Sequence, residues 1–196
     1  MFRRLYNWVL SWANTPYGSA ALFVMAFAES SFFPIPPDVL QIALSVSKPR
    51  RAFWYAAVSL AGSVLGAVLG YYIGFQLWTM TQTFFFAYIP GFTPELFDLV
   101  SQKYAGNAFL AVFTAAFTPI PYKIFTIAAG VCQISLWTLL LASVAGRGMR
   151  FFLVAGLMFA FGPPIKVWID KYLDVLAIVF TILLIGGFVI VKFLFA

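Results

Sequence analysis

Two ten-residue stretches, PIPPDVLQIA from Pro34 and PIPYKIFTIA from Pro119, each sit inside a long apolar run and share Pro, Ile, Pro, Ile and Ala in register. At the fifth position one carries Asp38 and the other Lys123. Proline lacks the amide hydrogen a helix needs and turns the residue before it away from helical geometry. Pro34, Pro36 and Pro37 should therefore split the first run, and Pro119 and Pro121 the second, into short helical arms. A helix needs about 20 residues to cross a bilayer core. With the breaks in place, the segments 17–47 and 105–135 read as two re-entrant hairpins rather than spans. Broken backbone at membrane depth is tolerated where protein or a wet cavity supplies its hydrogen-bond partners.

The bilayer is implied by composition. The chain is 63% hydrophobic and 9% charged, with a mean hydropathy of +0.97, whereas soluble domains carry roughly 25% charged residues. A single all-α integral membrane domain over 1–196 follows. The net charge of +6 forms no basic stripe, so it implies membrane topology rather than a nucleic-acid partner. Histidine is absent and Cys132 is the one cysteine, which removes Ser/His and Cys/His catalysis, a metal centre and an internal disulfide. No enzyme activity, cofactor or metal is expected.

The rest of the chain fills in around the hairpins. Residues 1–16 read as an interfacial amphipathic helix, with Phe2, Leu5, Tyr6, Val9 and Trp12 on one face and Arg3, Arg4, Asn7 and Ser11 opposite. About three transmembrane helices are expected, over 52–78, 136–162 and 175–195, with an interfacial loop and short helix over 79–103. There Thr93 suits an N-cap, Pro94 the first helical position and Glu95 the first turn. Gly62, Gly66, Gly70 and Gly74 recur every fourth residue, a ridge that lets another helix approach closely, within one protomer or in a homo-oligomer. If both proline segments are hairpins, Arg3, Arg4, Lys48, Arg50, Arg51, Lys166 and Lys171 share one face, leaving Lys103 and Lys192 opposite. Positive charge marks the cytoplasmic side, so the N-terminus is expected there in a multi-pass protein. The second hairpin then enters from the face opposite the first, an inverted repeat of the kind used to build transporters.

Glu29, Asp38, Lys123, Arg147 and Arg150 fall in or near the hydrocarbon region, where each charge costs about 2.5–3.5 kcal/mol. They either pair and lock the fold or line a polar cavity between the hairpins. The repeat sets Asp38 against Lys123, so an ion pair is expected between them. Glu29 and Asp38 are candidates for proton exchange or gating. Arg147 and Arg150 share a helical face and, with Lys123, are candidates for binding a phosphate headgroup.

Glu29 followed by PIPPD, the GSVLGAVLGYYIG helix, FTPIPYKIFTIAAG and RGMRFF together resemble the DedA, or VTT-domain (SNARE-associated), membrane proteins, the short YqaA-like branch above all, from about Ala20 to Phe161. The resemblance implies two opposed re-entrant hairpins in the bacterial inner membrane. It also implies movement of lipids between leaflets, with phospholipid or undecaprenyl phosphate as the partner. Family-critical acids correspond to Glu29 and Asp38, and an arginine after the second proline motif to Lys123. Many members also carry an arginine three residues before that motif's first proline, where this chain has Ala116. A lipid flippase or scramblase is thus one reading. A proton-coupled transporter of a small solute or ion, and a non-transporting assembly protein, are the others.

Overall fold

The computed structural model describes residues 12, 15–32, 36–89, 93–118 and 120–161. Pro34 and Pro119, nearly all of the expected interfacial helix over 1–16, and the expected span over 175–195 lie outside them. Among the described residues every regular element is helical: α1 (Gly18–Ser31), α2 (Asp38–Ser47), a 3-10 turn (Pro49–Arg51), α3 (Ala52–Tyr88), α4 (Pro94–Phe117), α5 (Tyr122–Val131) and α6 (Leu136–Phe161). The turn with α3, and α6, are long and apolar enough to cross a membrane.

Helix stops fall where the proline arithmetic puts them. α1 ends at Ser31 and α2 starts only after Pro36 and Pro37, with Asp38 in its first turn. α4 ends at Phe117 and α5 starts after Pro121. α5 closes with Gln133 in the left-handed region (φ 51°). The amides of Gln133 and Ile134 reach back to the carbonyls of Gly130 (3.1 Å) and Ala129 (2.9 Å), the paired bonds that finish a helix when the chain turns sharply.

Two boundaries differ from expectation. α3 does not stop at Trp78 but runs on to Tyr88, because the next ten residues hold no proline or glycine. The hydroxyls of Thr79 and Thr81 bond to the carbonyls of Phe75 and Leu77 within the same helix. Beyond it, Thr93 caps α4 by accepting from the Leu96 amide at 3.3 Å. The stretch 79–103 is therefore the end of α3 and the start of a continuous 24-residue α4. At 1.5 Å per residue α4 is about 36 Å long. The length argument for a re-entrant arm holds for α1, α2 and α5, of 14, 10 and 10 residues, but not for α4.

The helices form two like-ordered groups: α1, break, α2, α3 and α4, break, α5, α6. Ala52 and Ala56 pack with Ala155 and Met158, while Ala67 shares a cluster with Leu139 and Ala142. The two long helices therefore run antiparallel. α1 lies on α3 and α4 on α6, while α5 crosses to α3 and α2 reaches α6. The glycine ridge makes this closeness available. A β carbon on Gly62 or Gly66 would strike the carbonyls of Phe23 and Phe27 on α1, and one on Gly74 the carbonyl of Ile127 on α5. The ridge thus serves contacts within one chain, α1 at one end and α5 at the other.

Candidate functional site

Ending two helices in mid-bundle places charged residues where apolar side chains would otherwise pack. α1 carries Glu29 in its last turn, and α2 opens on Asp38. Opposite both runs α6, whose Arg147 and Arg150 lie three residues apart and so on one side of the helix.

Arg147 Nη2 meets Glu29 Oε2 at 2.5 Å, the arginine side chain being 2% exposed and the carboxylate 16%. The guanidinium lies 4.3 Å from the centre of the Tyr122 ring and 5.6 Å from that of Phe151, so ring faces flank the charge. Arg150 grips Asp38 with its fork, Nε to Oδ1 at 3.1 Å and Nη2 to Oδ2 at 2.9 Å. Its remaining terminal nitrogen donates to the Thr118 carbonyl at 2.9 Å. That carbonyl sits at the end of α4, so one guanidinium ties the first proline break to the second.

The expected Asp38–Lys123 pair does not form. Asp38 is taken by Arg150, and Lys123, half-buried on α5, makes no ion pair among the described residues. Sequence register set Asp38 against Lys123. In the structure α6 lies between the breaks, with Arg150 gripping Asp38 through its fork and Arg147 meeting Glu29 through Nη2 alone. Of the five candidate charges, four cancel in pairs and Lys123 leaves the cluster with one net positive charge.

A buried hydroxyl network extends the site. Ser30 Oγ donates to Glu29 Oε2 at 3.3 Å and lies 2.7 Å from Ser63 Oγ on α3. Thr126 Oγ1 on α5 lies 3.1 Å from the Ser30 carbonyl near the end of α1, and 3.0 Å from the Lys123 carbonyl of its own helix, so it links α5 to the first break. The Tyr122 and Ser143 hydroxyls are hydrogen-bonded to each other. None of Ser30, Ser63, Thr118, Tyr122 and Thr126 was singled out from sequence. Tyr122 and Thr126 carried a signal, since both lie inside the second proline motif with Lys123.

Ala116, where the resemblance leads one to expect an arginine, is fully buried. A β carbon on Gly146 of α6 would sit 2.7 Å from the Ala116 methyl and 2.8 Å from the Phe113 carbonyl. α4 and α6 touch here through their smallest residues, and an arginine has no space. Positive charge at the second break comes from Arg150 of α6 and Lys123 of α5 instead.

Apolar spans, two broken helices and charged residues paired inside the bundle define a helical membrane protein. The VTT-domain signature matches residues 35–160, which takes in α2 through almost all of α6, and the chain belongs to the VTT-domain family. It is 31% identical over 192 residues to an uncharacterized protein of Haemophilus influenzae, covering 98% of each chain. It is 38% identical over 157 residues to an uncharacterized protein of Histophilus somni, covering 80% of this chain and 81% of the other. No solved structure matches.

Proposed function

We propose that the protein moves an anionic or zwitterionic phospholipid, or a polyprenyl phosphate, between the leaflets of the bacterial inner membrane. The single observation that carries this reading is the surplus positive charge of the cluster. Lys123 is half-buried and without an ionic partner among the described residues. It follows the second proline break, which Arg150 ties to the first. Arg150 and Asp38 are 21% and 17% exposed, so their pair is within reach of an entering headgroup. A phosphate can take the guanidinium fork in place of the carboxylate, one charged hydrogen-bonded pair replacing another. Asp38, released from the fork, is with Glu29 the gating or proton-carrying group of this reading. The hydrocarbon chains stay in lipid, and no bond of the substrate changes.

In this reading α1–α2 and α4–α5 dip into the bilayer from opposite faces, with the N-terminus and the Lys48–Arg51 turn on the cytoplasmic side. The test is reconstitution in liposomes with a leaflet-resolved lipid probe. Lys123→Gln and Arg150→Gln should each slow transbilayer movement by at least about tenfold, or about 1.4 kcal/mol in barrier. Unaltered movement in both removes the site assignment.

The neat matching of Glu29 with Arg147 and Asp38 with Arg150 favours one other reading, in which the charges only lock the fold of an assembly protein. Exchanging Asp38 and Arg150 separates the two. A locking pair survives the exchange, whereas a headgroup site loses its fork at the break.

A further inference from the structure

We propose that the bundle encloses a one-sided file of water that reaches Glu29 from the face bearing the Pro49–Arg51 turn. Gln41 Oε1, Ser45 Oγ and Ser59 Oγ have no hydrogen-bond partner among the described residues, and all three residues are fully buried. A buried oxygen left unpaired is costly, and in folded proteins such groups are met by protein or by ordered water.

The three oxygens are not scattered. Gln41 and Ser45 are one turn apart on α2, and the Gln41 amide nitrogen donates to the Phe151 carbonyl of α6 at 2.9 Å. This side of α2 therefore faces α6. Ser59 lies one turn from Ser63 on the side of α3 that also carries Ala52 and Ala56, which pack with Phe151. Depths agree as well. Ser45 lies within a turn of the exposed loop, while Gln41 is six residues back along α2 from Ser47 and Ser59 seven residues along α3 from Ala52. At 1.5 Å per residue both lie about 10 Å below that face. One turn further in, about 5 Å, Ser63 is bonded to Ser30, and Ser30 to Glu29.

The file ends there. Glu29 is faced by Arg147 from α6 and, behind that guanidinium, by Tyr122 of α5. Past Arg147 the Tyr122 and Ser143 hydroxyls satisfy one another, and Ser143 also donates to the Leu139 carbonyl. Then come Ala67, Ala115, Ala116, Leu139 and Ala142, an apolar cluster with nothing to hold water. Among the described residues, unpartnered buried polar atoms therefore lead from the loop face to the Glu29–Arg147 pair, where Arg147 Nε is the last on this path. The Thr126 hydroxyl beyond Ser30 is already bonded to the Ser30 and Lys123 carbonyls. As a proton route this path rests on Glu29, and not Asp38 alone, exchanging a proton in the transport reading; as a wet path it does not.

The experiment uses the full chain with Cys132→Ser, in sealed membrane vesicles of each orientation, with silver ion as a water-borne thiol probe. Ser45→Cys and Ser59→Cys should react with silver added on the loop face and stay unreacted when it is added on the other. Leu22→Cys, fully buried in an apolar cluster with Leu40 and Leu44 of α2, should react from neither. Cysteines at 45 and 59 as inert as that control, or equally reactive from both faces, overturn the proposal. Melting gives a second readout. Ser45→Ala and Ser59→Ala should lower the melting temperature if the oxygens bind water, whereas a rise in both means dry, orphaned hydroxyls and overturns it too. Silver access without lipid movement overturns the transport reading alone, and lipid movement without silver access overturns only the water file.

Discussion

Arg147 on α6 holds Glu29 on α1 across the centre of the bundle, 2.5 Å between nitrogen and oxygen, with the arginine all but sealed from solvent. Removing one member of a buried pair strands the other. Glu29→Gln or Arg147→Met alone should each cost about 3–5 kcal/mol, and the double variant less than the sum of the two. Thermal melting in detergent of the four proteins checks this. Additive losses would mean that the two residues are not coupled.

The fold was legible wherever backbone chemistry is local. Prolines stopped the helices near the expected places, Thr93 capped α4, and the glycine spacing announced close helix packing. What escaped was pairing. Register between the repeats set Asp38 against Lys123, because sequence symmetry says which positions correspond but not what lies between them. α6 lies between them, and a guanidinium fork meets a carboxylate in two bonds where an ammonium offers a point charge. The extent of α3 escaped for a different reason. The prolines, acids and lysine of 79–103 made the whole stretch read as an interfacial loop and short helix, yet nothing breaks α3 before Tyr88, and the Thr79 and Thr81 hydroxyls are bonded to their own helix.

The glycines divide into two kinds, and alanine should tell them apart. A β carbon on Gly66 would press on the Phe27 backbone, whereas Gly106 and Gly156 have open space around theirs. Gly66→Ala should destabilise by about 1–3 kcal/mol by forcing α1 off α3. Gly106→Ala and Gly156→Ala should stabilise by about 0.5–1 kcal/mol through reduced freedom of the unfolded chain. Opposite shifts in melting temperature are the expected signature. A loss at Gly106 or Gly156 equal to that at Gly66 contradicts it.

Gln133 closes α5 with φ at 51°, a conformation that costs a residue with a β carbon about 1–2 kcal/mol. Gln133→Gly keeps both closing hydrogen bonds, because they use only backbone atoms. The variant should melt higher by the equivalent of about 1 kcal/mol. A lower melting temperature would mean that the glutamine side chain contributes something its backbone geometry does not reveal.

At the start of α4, Thr93→Ala removes the oxygen that accepts the Leu96 amide and should cost about 1 kcal/mol. Glu95 beside it is held below the usual carboxylate range by the hydrogen bond from its own amide and then by that from the Thr93 hydroxyl. A group whose folded pKa is depressed adds stability above its unfolded pKa and loses it as pH falls through the folded one. The start of α4 should therefore loosen on acidification below the ordinary carboxylate range, and Glu95→Gln should flatten that dependence. Amide hydrogen exchange of the first turn against pH reads this directly. An unchanged pH profile in Glu95→Gln would dismiss the carboxylate.

Ala116 tests how this chain differs from the family pattern it resembles. Its methyl packs against the Gly146 backbone of α6, and both residues are buried. Ala116→Arg must force the helices apart or bury a third guanidinium beside Arg147 and Arg150, whose carboxylates are already engaged. Overpacking and an unpaired buried charge together should cost about 3 kcal/mol or more, enough to abolish a monodisperse peak in detergent chromatography. Ala116→Ser, which adds one atom able to bond back to its own helix, should purify normally and serve as the control. An Ala116→Arg protein that purifies and melts like the parent would show that α4 does not lie against α6 as described. It would also reopen α4 as a source of positive charge at the second break. Loss of fold in Ala116→Arg with retention in Ala116→Ser would mean that this position in this chain cannot hold a guanidinium, leaving Arg147, Arg150 and Lys123 as the positive charges at the breaks.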